Sequence, residues 1–436
     1  MNSTPTRFLL LGIVSLLATS AAVLAQAPIK ALSPVSRTRP LTEKEMLRWA
    51  HLDPIQDTVP GMSIDRAYAE LIKKRKGQPI LVAIIDSGID LDHEDLKDVL
   101  WKNPKEIAGD GIDNDQNGYV DDVHGYNFLG ESSEEQLEFV RILAKNLGDT
   151  ILQKKASALY ETELAAAKAS VPQFEQIEKF ISAAHQSLQK KLRKETYTLK
   201  DLEKYVPEGE EEERAVWLVS QVMATGQDIP SALADLREGI AYYQSRLDFN
   251  LNLEFDGRKP VGDNPYDLQD RNYGNGNPTH LKDTESHGTH VAGILAANRA
   301  TKKGVKGVAQ GVQIMALRAV PDGDEYDKDI ALAIRYAVDQ GAKEIDIVIH
   351  RAQVLLQDWA ALYDEVAAMR EACGGAHMKA ILATGDLKTL RNVYKASMVA
   401  MQAGADFIKT STGKEDVNAT LPVSLTMVRA LRDYGE

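Results

Sequence analysis

Five short runs with apolar centres are the feature that most restricts how this chain can fold. They lie at Gln78–Asp86, Val312–Val320, Ile345–Ile349, Met378–Ala383 and Asp406–Thr410. Runs of this length, bounded by polar residues, are typical of buried parallel strands. The last three alternate with predicted helices near Leu355–Cys373, Thr389–Ala403 and Leu421–Tyr434. Because strand and helix alternate at this spacing, the sequence predicts an α/β protein with parallel sheet or barrel segments.

The stretch at 132–251 has a different character and is predicted to be a helical insertion. It is rich in Glu, Lys, Ala, Gln and Leu and contains little Gly. Between Phe174 and Leu192 its apolar residues recur at steps of three and four, which is typical of one face of an amphipathic helix. We predict three or four helices here, packed as a hairpin or small bundle.

The first 25 residues have the pattern of a secretory signal peptide. Arg7 precedes the almost wholly apolar run Phe8–Leu24, and small residues mark a cleavage point after Ala25. Because the run is short for a bilayer span, we favour cleavage over a retained membrane anchor. Residues 26–75 would then form an N-terminal arm or short pro-segment, with a helix near Ile64–Lys74. The expected location is therefore secreted or periplasmic.

The charge balance and the cysteine count exclude further classes of protein. The net charge is −13, and nearly all of the excess acid lies before Gly341. An acidic protein is a poor match for nucleic acid, which needs a basic face on its partner. The chain has one cysteine, Cys373, so a disulfide framework within the chain is impossible. Beyond the signal peptide, no segment is long and apolar enough to predict a membrane span.

Two motifs far apart in the chain carry an acid and a base. Asp86 ends the run VAIIDSGID, and His287 opens the string SHGTHVAGILAA. Together these strings resemble the subtilisin-like serine peptidases, over about residues 60–340. The resemblance implies a parallel, subtilisin-like α/β sheet built from 76–131 and 252–340. It also implies that Asp86 orients His287 as the base that activates a serine for hydrolysis of a peptide or protein substrate.

The serine that should complete this set does not appear in the sequence. The resemblance implies a Gly-Thr-Ser-x-Ala string well downstream of His287, and none is present. Ser411 is an unfavourable candidate, because its surroundings resemble another family. Since loss of the nucleophile removes most of the rate of such a triad, the sequence predicts little or no peptidase activity.

The segment Asp110–Asp122 reads DGIDNDQNGYVDD and is a candidate calcium loop. Oxygen-bearing side chains at alternating positions, with a glycine for a sharp turn, are what a hard cation needs. The pattern resembles the first half of an EF-hand loop, although His124 stands where the bidentate Glu would be. We predict that Ca²⁺ binding is favoured over a plain polar loop, with these ligands: Asp113, Asp115, Asn117 and Asp121.

The C-terminal segment 341–436 contains a second set of chemical motifs, EIDIVIHRAQ, HMKAILATGDL and DFIKTSTGKE. They resemble the middle of deoxyribose-phosphate aldolase. The resemblance implies that Lys409 forms a Schiff base with a phosphorylated sugar and that Asp346 relays protons, without a cofactor. It places Lys414 at the substrate phosphate, and Lys379 would add positive charge near Lys409.

The aldolase-like segment is too short to form the whole fold of that family. The resemblance implies a TIM-type (β/α)₈ barrel, and such a barrel needs all its strands to close. Only three βα units are present, a later lysine in a Gly-Phe-Lys context is missing, and His350 stands where relatives usually have Asn. We expect these units to extend the peptidase-like sheet, giving an incomplete barrel with exposed edges.

Three hypotheses about function are left open by the sequence. The first is a secreted subtilisin-like serine endopeptidase by descent, inactive because its serine is missing. The second is a fragment of a class I deoxyribose-phosphate aldolase, a segment of cytoplasmic type that conflicts with export. The third is a non-catalytic fusion of artificial or assembly-derived origin, which only binds ions or partners. The first covers most of the chain and agrees with the signal peptide.

Overall fold

The computed structural model describes residues 37–73, 75, 77–300, 304–412 and 417–435. The predicted signal peptide and Lys414 lie outside the described residues. The chain divides into two compact units, Met1–Lys74 and Arg75–Glu436. Within the described residues, no helix combines the length and the apolar character that crossing a bilayer would require.

The first unit contains two short helices, α1 (Glu43–Met46) and α2 (Ile64–Ala67). Thr42 and Glu45 form a capping box at the start of α1, in which each side chain bonds the backbone N–H of the other residue. Helix α2 continues as a π-helical turn, Tyr68–Ile72, so the predicted helix near Ile64–Lys74 is present in this form.

The second unit begins with strands β1 (Ile80–Asp86) and β2 (Gly125–Asn127). Five helices of the insertion follow: α3 (Glu138–Ala144), α4 (Thr150–Leu192), α5 (Leu199–Lys204), α6 (Glu210–Ala224) and α7 (Ile229–Ser245). The prediction of three or four helices was too low because α3 and α5 are 7 and 6 residues long. Helices this short leave hardly any periodic signal, and α5 depends on its Thr198 capping box.

The insertion has a core of its own, separate from the sheets. The packed residues lie on α4, α6 and α7, and they include Ile181, Leu188, Val219, Ile229 and Leu233. Leu188 and Val219 are 1% and 0% exposed. The predicted amphipathic face of the Phe174–Leu192 segment is therefore the face of α4 that forms this core.

The chain then returns to the first sheet through α8 (His287–Ala296), β3 (Val312–Arg318) and α9 (Asp327–Asp339). The strand order is β1-β3-β2, and both pairs are parallel. Strand β3 is central, and five of its seven residues are buried. Because the sheet is parallel, the carboxyl ends of β1 and β3 lie at one edge, where open α/β sheets place their chemistry.

The C-terminal segment forms a second sheet with its covering helices. In chain order the elements are β4 (Glu344–Val348), α10 (Arg351–Leu356), α11 (Trp359–Ala372), β5 (His377–Ile381), α12 (Leu390–Gln402), β6 (Phe407–Lys409) and α13 (Leu421–Gly435). The predicted helix near Leu355–Cys373 is two helices, because Gln357 has a left-handed φ of 60°. The Asp358 carboxylate then caps α11 at the Ala361 N–H.

The expectation that these units extend the first sheet was wrong. Strands β4, β5 and β6 form a separate three-stranded parallel sheet in that order. The reason is visible in β4, where Ile345 and Ile347 are buried while Glu344, Asp346 and Val348 are exposed. A strand inside a parallel sheet covered on both sides needs two apolar faces, and β4 has only one.

The two sheets nevertheless share one hydrophobic core. Residues of β3 and α9, among them Leu317, Leu332 and Tyr336, belong to the same cluster as Ile345 of β4 and Val366 of α11. The two parts are therefore joined by side-chain packing and not by strand pairing. The other face of the second sheet is open to solvent, and Phe407 on that face is 47% exposed.

Candidate functional site

Asp86 and His287 meet at the carboxyl edge of the first sheet. Asp86 is the last residue of β1 and His287 is the first residue of α8. The His287 Nδ1 lies 2.8 Å from Asp86 Oδ2 and 3.0 Å from Oδ1. The Ser87 backbone N–H donates to Asp86 Oδ1 at 2.8 Å, which holds the carboxylate in place. A carboxylate at Nδ1 favours the tautomer whose proton is on Nδ1, so the other ring nitrogen is available as a base.

Two glycines permit other parts of the backbone to approach the end of β1 closely. A Cβ at Gly288 would lie 2.2 Å from the Gly88 carbonyl oxygen and 3.1 Å from the Asp86 Cβ. Gly88 has a φ of +109°, and a Cβ there would lie 2.7 Å from the backbone nitrogen of His280. Gly288 therefore allows the start of α8 to approach the end of β1, and Gly88 allows the backbone of His280 to approach the same turn.

A buried arginine, Arg318, binds the residues next to this pair. Arg318 ends β3 and is 0% exposed. Its guanidinium donates to the Ser87 carbonyl at 3.1 Å, to Asn127 Oδ1 at 3.2 Å and to the Ser132 carbonyl at 2.7 Å. It also donates to Glu285 Oε1 at 2.9 Å, two residues before His287. One side chain thus joins the ends of β1 and β2 to the start of α8.

In the part of the chain that the structure describes, the second ring nitrogen of His287 has no hydrogen bond to a hydroxyl group. The His287 side chain is 55% exposed. Among the described residues, both hydrogen bonds of its ring go to Asp86. Ser411 follows β6 in the second sheet, and its hydroxyl lies 3.4 Å from Thr410 Oγ1. The structure brings together the orienting acid and the base, and it does not bring Ser411 to them.

The acidic loop between β1 and β2 gathers three carboxylates. One oxygen of each of Glu106, Asp113 and Asp115 lies within 4.8 Å of the others. Glu106 Oε1 accepts from the N–H groups of Asn114 and Asp115 at 2.9 and 3.2 Å. Glu106 Oε2 is buried and has no hydrogen-bond partner in the part of the chain that the structure describes. A buried carboxylate oxygen without a donor fits a cation at this position.

The other two predicted ligands have different contacts. The Asp121 carboxylate accepts from the N–H groups of Gly109 and Gly111 at 2.7 and 3.1 Å, so it closes the loop and is not in the three-carboxylate group. Asn117 Oδ1 accepts from the Tyr119 N–H at 2.8 Å. The Asn117 amide donates to the fully buried Asp122, whose pKa is raised by burial.

Lys409, Asp346 and Lys379 meet on the open face of the second sheet. The Lys409 Nζ lies 3.0 Å from Asp346 Oδ2, and the Lys379 Nζ lies 3.3 Å from Asp346 Oδ1. Lys379 also bonds Glu344, and these carboxylates raise the pKa of Lys379. The Lys409 side chain is 41% exposed. A Schiff-base lysine needs a desolvated pocket or a neighbouring cation. Lys379 is a cation on the same carboxylate as Lys409, but the Lys409 ammonium is exposed and is not in a desolvated pocket.

A sequence model described as the subtilase family, Peptidase_S8, matches residues 77–352, which is more than half of the chain. The chain belongs to the subtilase family. The matched region begins just before β1 and includes the insertion, Asp86, His287 and Arg318. The subtilase sheet and its Asp–His pair are therefore present together in this protein.

The C-terminal part of this subtilase is similar to a second family. A model described as DeoC/LacD family aldolase matches residues 299–435. The deoxyribose-phosphate aldolase of Homo sapiens is 55% identical over 133 residues, 30% of this chain and 42% of that protein. The enzyme of Mus musculus is 61% identical over 114 residues, 26% of this chain and 36% of that protein. The chain spans less than half the length of these relatives.

The similarity to solved structures is weak. One structure described as an aldolase is 24% identical, covers 29% of this chain and 57% of that chain, and has a TM-score of 0.24, too low to bear on the fold. The sequence comparisons show a two-part protein in which a subtilase segment is joined to an aldolase-like segment.

Sequence reasoning missed three residues around the subtilase sites: Glu106, Glu285 and Arg318. A signal existed for two of them. Arg318 ends a buried apolar strand, and a buried cation requires an acid nearby, which Glu285 supplies beside the histidine motif. Glu106 lies outside the alternating DGIDND pattern, and only the folded loop brings it to Asp113 and Asp115.

Proposed function

We propose that this protein is a two-part, subtilase-derived chain that is exported and does not hydrolyse peptides. The observation that carries the proposal is the geometry of His287, whose ring is oriented by Asp86 at 2.8 Å but contacts no hydroxyl among the described residues. Peptide hydrolysis in such a site begins with attack by a serine oxygen whose proton the imidazole takes. The 436 residues contain no Gly-Thr-Ser-x-Ala string that would supply this serine.

The test is activity-based labelling of the full chain with a fluorophosphonate probe, together with a quenched peptide substrate. We expect no covalent label and no turnover above that of the His287→Ala variant, because no activated serine is present. An active subtilase run in parallel shows that the probe and the peptide are competent. Labelling of any serine that disappears in the His287→Ala variant would contradict the proposal.

We propose further that the acidic loop binds Ca²⁺ through Glu106, Asp113 and Asp115. The support is the gathering of their oxygens within 4.8 Å and the unpaired, buried Oε2 of Glu106. A hard cation with oxygen ligands would neutralise these charges and hold the loop between β1 and β2. The loop leads into β2, an edge strand of the subtilase sheet, so a bound ion would hold the chain that enters this strand.

This metal proposal predicts a calcium-dependent melting temperature. Saturating Ca²⁺, about 100 times its Kd, should stabilise the chelator-treated protein by about 2.7 kcal/mol, because the ion binds the folded state. Glu106→Gln should lose most of this effect. The control is Glu131→Gln, an exposed carboxylate that follows β2 and is outside the three-carboxylate group, and this variant should keep the response. Equal calcium responses in both variants, by differential scanning fluorimetry, would rule out Glu106 as a ligand.

A residual Schiff-base activity is the second function that we propose. It is favoured by the 3.0 Å contact between Lys409 and Asp346, with Lys379 on the same carboxylate. In this chemistry the Lys409 Nζ attacks an aldehyde carbon and water leaves as the iminium forms, with Asp346 able to exchange the proton. Because the lysine is exposed, we expect a slow reaction compared with an enclosed aldolase site.

The test is trapping with acetaldehyde and borohydride, followed by peptide mapping of the full chain. We expect Lys409 to be modified several-fold more than Lys145, which has a similar side-chain exposure of 48%, since Asp346 assists proton transfer. Asp346→Asn should lower the Lys409 signal to that of Lys145. Equal labelling of the two lysines in the protein without substitutions would rule out the proposed Schiff-base activity.

A further inference from the structure

Helix α13 carries apolar residues on two different faces. Val423, Met427 and Ala430 are buried in the core. A second line of apolar residues, at steps of four, three and three, points to solvent. We call this line the α13 stripe. Its residues and their exposed fractions are Leu421 (87%), Leu425 (53%), Val428 (58%) and Leu431 (49%). A contiguous exposed stripe of this kind indicates an interaction surface.

The insertion carries an apolar groove between α4 and α6. The cavity has a volume of about 750 Å³. Its floor includes Ile181, which is 4% exposed, and its walls include Phe180 and Trp217, which are 56% and 64% exposed. We call it the insertion groove. Two large aromatic side chains left exposed beside a buried aliphatic floor are typical of a surface that receives an apolar helix face.

The stripe and the groove match in length and in charge. On α4 the groove extends from Ile177 to Ser187, about 15 Å at the rise of a helix. The stripe from Leu421 to Leu431 has the same length, about 15 Å. One end of the groove carries Glu210 and Glu211, in the first turn of α6, and Arg214, which pairs with Glu210 at 3.3 Å, so the net charge of this end is negative. The stripe is flanked by arginines on α13, including the exposed Arg429.

We propose that the α13 stripe of one copy docks into the insertion groove of a second copy. A second copy is the occupant that the local charges favour, because α13 of this same chain offers arginines to the net negative end of the groove. Because the two surfaces differ, the contact is head-to-tail, and repetition gives rings or open chains rather than a closed two-fold dimer. This inference does not depend on the proposed function.

The test is a mixing experiment on the full chain, measured by sedimentation velocity. Leu425→Asp removes the stripe and Trp217→Asp removes the groove, so each variant alone should be monomeric. An equimolar mixture should form dimers and nothing larger, because one intact stripe meets one intact groove. The unmodified protein should form larger, concentration-dependent species. Ile151→Asp, at a position 65% exposed outside the groove, is the control and should associate as the unmodified protein does.

Several outcomes would overturn the inference. An unmodified protein that stays monomeric at its highest soluble concentration excludes it, as does a mixture that forms no dimer. Self-association of Trp217→Asp alone would show a stripe-to-stripe contact instead. If an aspartate variant fails to fold by circular dichroism, the exposed charge reversals Arg429→Glu and Glu211→Arg replace it. Each should weaken association by about tenfold, and mixing or combining the two should restore it.

Discussion

Replacing Arg318 by leucine is expected to destabilise the protein by about 3–5 kcal/mol, the usual cost of breaking a buried ion pair from one side. The Glu285 side chain is 6% exposed and would lose its cation. The carbonyl groups of Ser87 and Ser132 would also lose a donor. The measurement is equilibrium unfolding in urea, followed by circular dichroism.

The matched control for Arg318→Leu is Arg237→Leu. Arg237 also binds a carboxylate, Glu178, at 2.8 Å, but its side chain is 62% exposed. An exposed pair contributes about 0–1 kcal/mol, so this variant should remain close to the unmodified protein. If both variants lose the same free energy of unfolding, the guanidinium of Arg318 does not hold the edge of the sheet together.

Replacing Gly288 by alanine should separate Asp86 from His287. The new Cβ would lie 2.2 Å from the Gly88 carbonyl oxygen, which is backbone and cannot rotate away. Helix α8 must therefore shift, at an expected cost of about 1–3 kcal/mol for overpacking. We expect the Nδ1–carboxylate bond of 2.8 Å to be lost. Its loss can be followed by ¹⁵N NMR of the imidazole, which reports the tautomer.

Gly293 provides the control within the same helix. A Cβ at Gly293 would meet nothing within 4 Å. Since alanine is the better helix former, Gly293→Ala should stabilise the protein by up to about 1 kcal/mol and leave the imidazole spectrum unchanged. Opposite signs of the stability change at the two glycines would identify the contact with Gly88 as the cause. If the free energy of unfolding changes with the same sign in both variants, helix propensity and not the contact with Gly88 determines the effect.

The Asp86–His287 pair shows which parts of a candidate site can be predicted from the amino-acid sequence. Asp86 and His287 each lie at the boundary of one element, the end of β1 and the start of α8, so their motifs predict both identity and position. Arg318 acts through contacts with residues far away in the chain, so its position at the end of a buried strand indicates a buried cation but not which groups it binds. Glu106 is only 7 and 9 residues from Asp113 and Asp115, but it lies outside their alternating pattern, and the folded loop brings it to them.

The aldolase-like segment shows what sequence motifs do not predict. Its motifs predict strands β4 to β6 and the alignment of Lys379 and Lys409 near Asp346, and the structure has these contacts. They do not predict how this sheet would meet the first one. The alternating exposure of β4 prevented the joined sheet that we expected, and it left the face carrying Lys409 open to water.

The sequence by itself determined the α/β class, the five principal strands and the residue types at both candidate sites. These properties depend on local periodicity and on the chemistry of single side chains. The tertiary structure alone decided that there are two sheets instead of one and that Arg318 joins three elements. The physical reason is that each of these properties depends on which surfaces pack together in the folded protein. The free energy of that packing is distributed over residues far apart in the chain, so no short segment of sequence contains it.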